Sequence, residues 1–317
     1  MKIRTLTRKG LKTVAFESET LFVALIPELG AKIISLRHKP TGFEFMYQGR
    51  RKRWRLARWG DAYTDHDPCG WDEMMPTINE CFYPDGPWKG RLLTDHGEIW
   101  PRPWTIENRP GSILCSVYGH ALPYRFEREM SFAAANVLRL QYRIHSLADE
   151  PFYFLWSAHP LCNCNARTEI LLPDAVRHVL NAVPNCKLLG DYRQPHAWPV
   201  TGLGHDLRRV APRSANRFKK WFVRGKMPAD RHGQTWCGLS YPDHKLKLLW
   251  KYPAAQVPYY GLWVSEGGFD HHYHVAPEPC TAMIDRVDSA IYTDTVSKLA
   301  PHATWAWTMD VRVESLR

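Results

Sequence analysis

The segment Val275-Ala276-Pro277-Glu278-Pro279-Cys280-Thr281-Ala282 holds one carboxylate, Glu278, between two prolines. Each proline fixes its own φ and drives the residue before it into extended backbone. The segment therefore cannot be helical. Without N–H groups at 277 and 279 it suits a strand end or a sheet edge, and a Glu held there has a defined direction. Two histidine motifs lie far upstream, Asp95-His96-Gly97-Glu98 and Trp156-Ser157-Ala158-His159-Pro160. A carboxylate and an imidazole brought together can take and give protons, which is general acid–base chemistry. Taken singly, Glu278 also reads as a surface residue of a Pro-rich loop. Any one of fifteen histidines also reads as structural.

The elements that must position these groups are mostly strands. Thr13–Glu17, Leu21–Ile26, Ala31–Arg37 and Phe43–Tyr47 open the chain as short apolar or alternating runs. Residues 60–110 read as a long irregular segment rich in Gly, Pro, Trp, His and acids, a composition that favours a functional loop. Tyr124–Phe132 and Val137–Ile144 alternate apolar and polar residues, the period of half-buried antiparallel strands. Pro151–Trp156 is an apolar run that delivers His159 at its end. Residues 185–232 show few periodic runs. Strands return at Thr235–Ser240, Leu246–Lys251, Tyr259–Val264 and Ala303–Val313, and a short helix is expected at about 282–290. Many strands, few short helices and no βαβ rhythm predict an all-β chain, a large antiparallel β-sandwich. No internal repeat or linker divides it, so 1–317 reads as a single domain.

Composition sets the outer limits. The 317 residues include 14 Trp and are 44% hydrophobic, ample for a core. No stretch approaches 18 consecutive apolar residues, and Met1–Thr5 leads into no apolar signal region, so the expected location is cytoplasmic with no membrane partner. Eight scattered cysteines without a CxxC pair are expected as free thiols and not as a zinc site. Net charge is +10. Much of it sits in Arg50–Trp59, where basic residues alternate with Trp. That run reads as a solvated loop with two Trp folded back, and no nucleic-acid motif accompanies it.

Together these pieces resemble the aldose 1-epimerase (galactose mutarotase-like) family. Leu25–Leu36 followed by Thr41-Gly42-Phe43-Glu44 looks like its opening strands. His96-Gly97 before Trp104 is similar to its first histidine motif, and His159-Pro160 to its second. Pro277-Glu278-Pro279 looks like the segment bearing its catalytic glutamate, and Leu299–Trp305 like its closing strand. The motifs keep the family's order over nearly the whole chain. Asn79 is followed by Glu80 where classical members carry Asn-Arg, and His159 by Pro-Leu-Cys-Asn, which points to a divergent branch. The fold implied is a β-supersandwich.

The activity implied is interconversion of sugar anomers, which needs no cofactor. A base takes the anomeric proton, an acid protonates the ring oxygen, and the ring opens and recloses. The resemblance assigns Glu278 as base, His159 as acid and His96 to a substrate oxygen. Acid and base are expected on opposite sides of the sugar. Their attraction would keep Glu278 ionised and raise the His159 pKa. Glu98 could orient His96. Asp72 and Glu73 could accept from sugar hydroxyls, Trp71 and Trp263 could stack on a pyranose, and Arg91 or Arg102 could reach a phosphate. His271, His272 and His274 cluster, but no partner carboxylate has a motif spacing and no metal is expected. The expected partner is a small-molecule sugar, with the chain a monomer or homodimer and no nucleic acid bound. Two other functions suit the same sandwich: a sugar-binding or regulatory protein without turnover, and a carbohydrate hydrolase or lyase, which needs a second catalytic group.

Overall fold

The computed structural model describes residues 2–66 and 68–316. Two large antiparallel sheets face one another. The larger has 12 strands, in the spatial order Lys2–Arg8, Leu11–Glu17, Leu21–Ile26, Lys32–His38, Trp71–Met74, Ser157–Pro160, Tyr273–Cys280, Tyr259–Glu266, Arg217–Val223, His178–Asn181, Pro195–Ala197, with Phe43–Glu44 paired to Lys32–His38. The other has eight, Glu169–Leu171, Gln234–Tyr241, Leu246–Pro253, Thr304–Ser315, Val137–Ser146, Tyr124–Ala134, Ser112–Tyr118 and Thr105–Arg109. The all-β sandwich expected from the strand pattern is the architecture found.

Period-two alternation makes the core. Along Thr304–Ser315 the residues Trp307, Met309, Val311 and Val313 are buried, and Leu138, Leu140, Tyr142 and Ile144 answer them on the paired strand. Tyr142 stacks on Trp307 at 4.8 Å, and Trp156 lies 4.6 Å from the same ring. Each such side chain withdrawn from water contributes about 1.5–3 kcal/mol. A buried ion pair links the two sheets across this apolar layer. Arg128 donates to Glu73 at 2.7 Å, and both side chains are fully buried.

Four local expectations are corrected. The Glu278 segment is not an edge: Tyr273–Cys280 lies between Ser157–Pro160 and Tyr259–Glu266 in the middle of the large sheet. The reason is parity. Residues two apart point their N–H groups at the same neighbour, and Val275 and Thr281 donate toward the Ser157–Pro160 side, to Cys162 at 3.1 Å and Trp156 at 2.9 Å. Pro277 and Pro279 share that parity, so both missing donors fall in one gap between two anchored ends. The other edge keeps an eight-pair register with Tyr259–Glu266. Within the irregular 60–110 stretch, Trp71–Met74 is a central strand. Within 185–232, Arg217–Val223 is a strand of the large sheet. The helix is Val287–Tyr292, starting later than expected because Ile284 takes a left-handed φ of 80° and the chain turns there.

In Arg50–Trp59, Trp54 folds back as expected, whereas Trp59 stays 42% exposed. Trp54 is partly buried with Lys9 4.8 Å from its ring, and Trp59 packs on His120 at 4.7 Å. No helix among the described residues is long and apolar enough to cross a membrane. None of the eight cysteines forms a disulfide.

Candidate active site

Register carries the distant motifs to one place. Lys32, Asp72, His159, Glu278, Gly261 and Phe222 form a single cross-strand row over six neighbouring strands, following the pairs Ile33↔Trp71, His159↔Asp72, Ser157↔Cys280, Gly261↔Glu278 and Phe222↔Gly261. The next row on the same face brings Ala276, Trp263 and Lys220. His159 thus stands beside Glu278 across the proline gap, Nε2 to Oε1, at 4.0 Å. A cavity of about 330 Å³ opens there. Tyr63, Asp95, His96, His159, Phe218, Lys220, Trp263, Phe269, His274, Glu278 and Asp285 are among its lining residues.

Burial governs the electrostatics. Glu278 is 1% and His159 5% exposed. Desolvation disfavours charge on either. It pushes the Glu278 carboxyl up to about 7, against the pull of Lys220. It holds His159 well below the ordinary imidazole range, helped by the positive sides of His96 and Lys220. The expected ion pair, with an ionised Glu278 and a raised His159, is therefore corrected. Burial thus favours the uncharged form of each, a protonated carboxyl beside a neutral imidazole, because two buried charges cost more than none.

His96 is set by its backbone. It has φ 57° and is followed by Gly97 at φ 77°. A Cβ at 97 would meet the Met75 carbonyl oxygen at 2.2 Å, so only glycine fits. The His96 ring stacks on Tyr63 at 4.0 Å and lies 5.2 Å from His159. Its Nδ1–H donates to Asp95 Oδ1 at 2.9 Å, leaving Nε2 for a ligand. Burial raises Asp95, but the His96 bond and the Tyr63 amide more than offset it, and its carboxyl lies below the ordinary value. Gly97→Ala is expected to lose about 1–3 kcal/mol of stability, read as a lower urea midpoint. An unchanged midpoint would show that the His-Gly turn tolerates a side chain.

No protein-family model and no curated protein matches the sequence. Solved structures do match the fold. The Slr1438 protein of Synechocystis sp. PCC 6803 superposes with a TM-score of 0.72 at 13% identity, covering 99% of this chain and 100% of that one. A galactose mutarotase related enzyme from Lactobacillus acidophilus gives 0.67 at 16%, covering 95% and 97%. A galactose mutarotase-like protein from Clostridium acetobutylicum gives 0.67 at 11%, covering 100% and 99%. The chain has the galactose mutarotase-like fold.

Within this galactose mutarotase-like fold the cavity takes four of the eight expected residues: Glu278, His159, His96 and Trp263. The Trp263 indole donates to His274 Nε2 at 3.2 Å and packs with Phe218 and Phe269, each at 5.2 Å, as an aromatic wall. The other four are corrected. Trp71 is wholly buried in the sandwich, edge-on to Trp250. Glu73 also faces the core, where Arg128, Tyr142 and Trp156 all donate to it. Neighbours on a strand point to opposite faces, so of Asp72 and Glu73 only Asp72 faces the site. There it is held by Lys32 at 3.1 Å and accepts from the Tyr63 hydroxyl at 2.9 Å, which makes it a support for the ring beneath His96. Arg91 donates away from the cavity, to the Ala121 carbonyl, and Arg102 to that of Tyr118.

Glu98 does not orient His96. It accepts from the His120 and Ala121 amides, and Asp95 does the orienting. His272 meets the Tyr47 hydroxyl at 3.0 Å, and no group of three or more potential ligands among the described residues is arranged for a metal.

Lys220, Asp285, Tyr63 and Phe218 escaped the sequence reading. In Arg217-Phe218-Lys219-Lys220-Trp221-Phe222-Val223 two consecutive lysines hide the alternation. The usable signal was Phe218-x-Lys220-x-Phe222, one cation on an otherwise apolar strand face.

Proposed function

We propose that this protein interconverts the anomers of an unphosphorylated hexose or closely related sugar by general acid–base ring opening. The observation that carries the reading is the Glu278–His159 pair, carboxyl and imidazole side by side at 4.0 Å on the wall of a cavity of about 330 Å³. The anomeric hydroxyl oxygen and the ring oxygen are bonded to the same carbon. Acid and base therefore belong next to each other, as they are here, and not on opposite faces of the sugar.

Ring opening needs one proton to give and one place to receive. A pair that holds a single proton supplies both. Glu278 in its protonated form donates to the ring oxygen while His159 accepts the anomeric proton, and reclosure runs the reverse. The assignment with the proton on His159 differs only by one transfer within the pair, and both belong to one coupled titration. In this reading His96, oriented by Asp95, holds a substrate oxygen. Trp263 offers an apolar surface to a pyranose face. Lys220 is the one Lys or Arg among the described lining residues, and two carboxylates already engage it. That supports a neutral sugar over a phosphorylated one.

The test is exchange between α and β anomers, followed by NMR with unphosphorylated hexoses and pentoses. The competent state holds one proton on the pair. The catalysed rate, corrected for free mutarotation, is therefore expected to fall as pH rises through about 7, where Glu278 loses its proton. A protein that binds sugars in calorimetry yet accelerates no exchange at any pH would favour a binding role instead.

A further inference from the structure

Lys220 is drawn into the site by an absence. Its strand, Arg217–Val223, is separated from the Glu278 strand by Tyr259–Glu266. The residue opposite Glu278 on that intervening strand is Gly261. A Cβ there would stand 3.4 Å from Glu278 Oε2 and 3.0 Å from the Phe222 ring. With no side chain in the way, the Lys220 ammonium reaches across a whole strand to within 3.4 Å of Oε2. It also meets Asp285 Oδ1 at 2.8 Å. Asp285 is fixed in turn, since its carbonyl accepts from the Ile78 and Asn79 amides at 3.0 and 2.7 Å.

We infer that Lys220, clamped by Asp285, is the positioning residue that keeps the proton shared by Glu278 and His159 mobile at neutral pH. This rests on the anomer-exchange reading above. A carboxyl buried this deeply holds its proton too tightly to be a useful acid, and the most effective catalytic group titrates near working pH. A fixed cation beside it offsets the burial. The other groups around Glu278 do not supply that charge. His159 faces it from the neighbouring strand and is held neutral by its own burial. Asp285 pushes the other way, and His96 contributes a weaker pull than Lys220. Gly261 carries no charge, and the Cys280 thiol and Tyr260 phenol are both raised and neutral.

The test follows Glu278 directly, by carboxyl-carbon NMR in protein labelled at Glu, so it needs no turnover. Lys220→Met, of similar length without charge, is expected to raise the Glu278 midpoint by about 1–3 units. Lys220→Arg should restore it to near the wild-type value. Asp285→Asn is the second variant, in case Lys220→Met does not fold. It leaves Lys220 its charge, with Glu278 as the carboxylate still beside it, and removes a carboxylate that raises Glu278, so the Glu278 midpoint should fall. A midpoint unmoved in folded Lys220→Met, or raised in Asp285→Asn, overturns the inference. If the midpoints move as expected while the wild type exchanges no sugar, the electrostatic role stands and the anomer-exchange reading falls.

Discussion

Glu278→Gln is expected to lower catalysed anomer exchange by about 10²–10⁴-fold, the contribution of one well-placed proton transfer. Glutamine keeps the size and hydrogen-bonding shape of the side chain but can neither give nor take a proton. The loss should appear in kcat, with sugar affinity by calorimetry changed little, because His96 and Trp263 remain in place. Stability supplies a control. The folded carboxyl titrates at about 7 and the unfolded one near its ordinary 4.5. Folded protein therefore binds this proton more tightly, and raising the pH from about 4.5 to 7 erodes stability. At 1.36 kcal/mol per unit the erosion is of order 3 kcal/mol. Glutamine escapes it, so at pH 8 the variant should melt no lower than wild type. Exchange by Glu278→Gln at the wild-type rate would remove Glu278 from the chemistry altogether.

Arg128→Met should be the most damaging change away from the cavity, with an expected cost of about 3–5 kcal/mol. The substitution leaves the Glu73 carboxylate inside the sandwich with only the neutral donors Tyr142 and Trp156. It also frees the Ala31 carbonyl, which Arg128 caps. Pairing it with Glu73→Leu removes both charges and should recover most of the loss, since a buried ion pair replaced by packed apolar groups is often close to neutral. Urea midpoints of the two singles and the double give the coupling. If Arg128→Met unfolds at the wild-type urea concentration, the pair contributes nothing to holding the two sheets together.

Much of this was legible in the residues, for reasons that can be stated. The alternation in Tyr124–Phe132, Val137–Ile144 and Ala303–Val313 marks strands half facing a core, and those became the centre of the eight-stranded sheet. Glu278, His159 and His96 stood out because proline, a strand end and glycine constrain their backbones. What escaped was set by pairing. Nothing local says whether Asp72 or Glu73 faces the cavity, because that depends on the register of Trp71–Met74 against Ser157–Pro160. The prolines at 277 and 279 argued for an edge because a single sequence does not reveal that both missing donors fall on one side of the strand. Lys220 was invisible because its relevance depends on Gly261, more than forty residues away on another strand. The charge state of Glu278 and His159 depended on burial, which spacing does not show.

The spatial order of the large sheet also bears on synthesis. His96 and His159 leave the ribosome long before Glu278, yet the strand that seats His159 has Tyr273–Cys280 as a flanking neighbour. Such non-local pairing closes late, after long loops have been brought together. A nascent or truncated chain ending before residue 278 therefore holds imidazoles without their carboxyl partner, and the pocket comes into being only when the final quarter of the polypeptide has been made and threaded into the middle of the sheet.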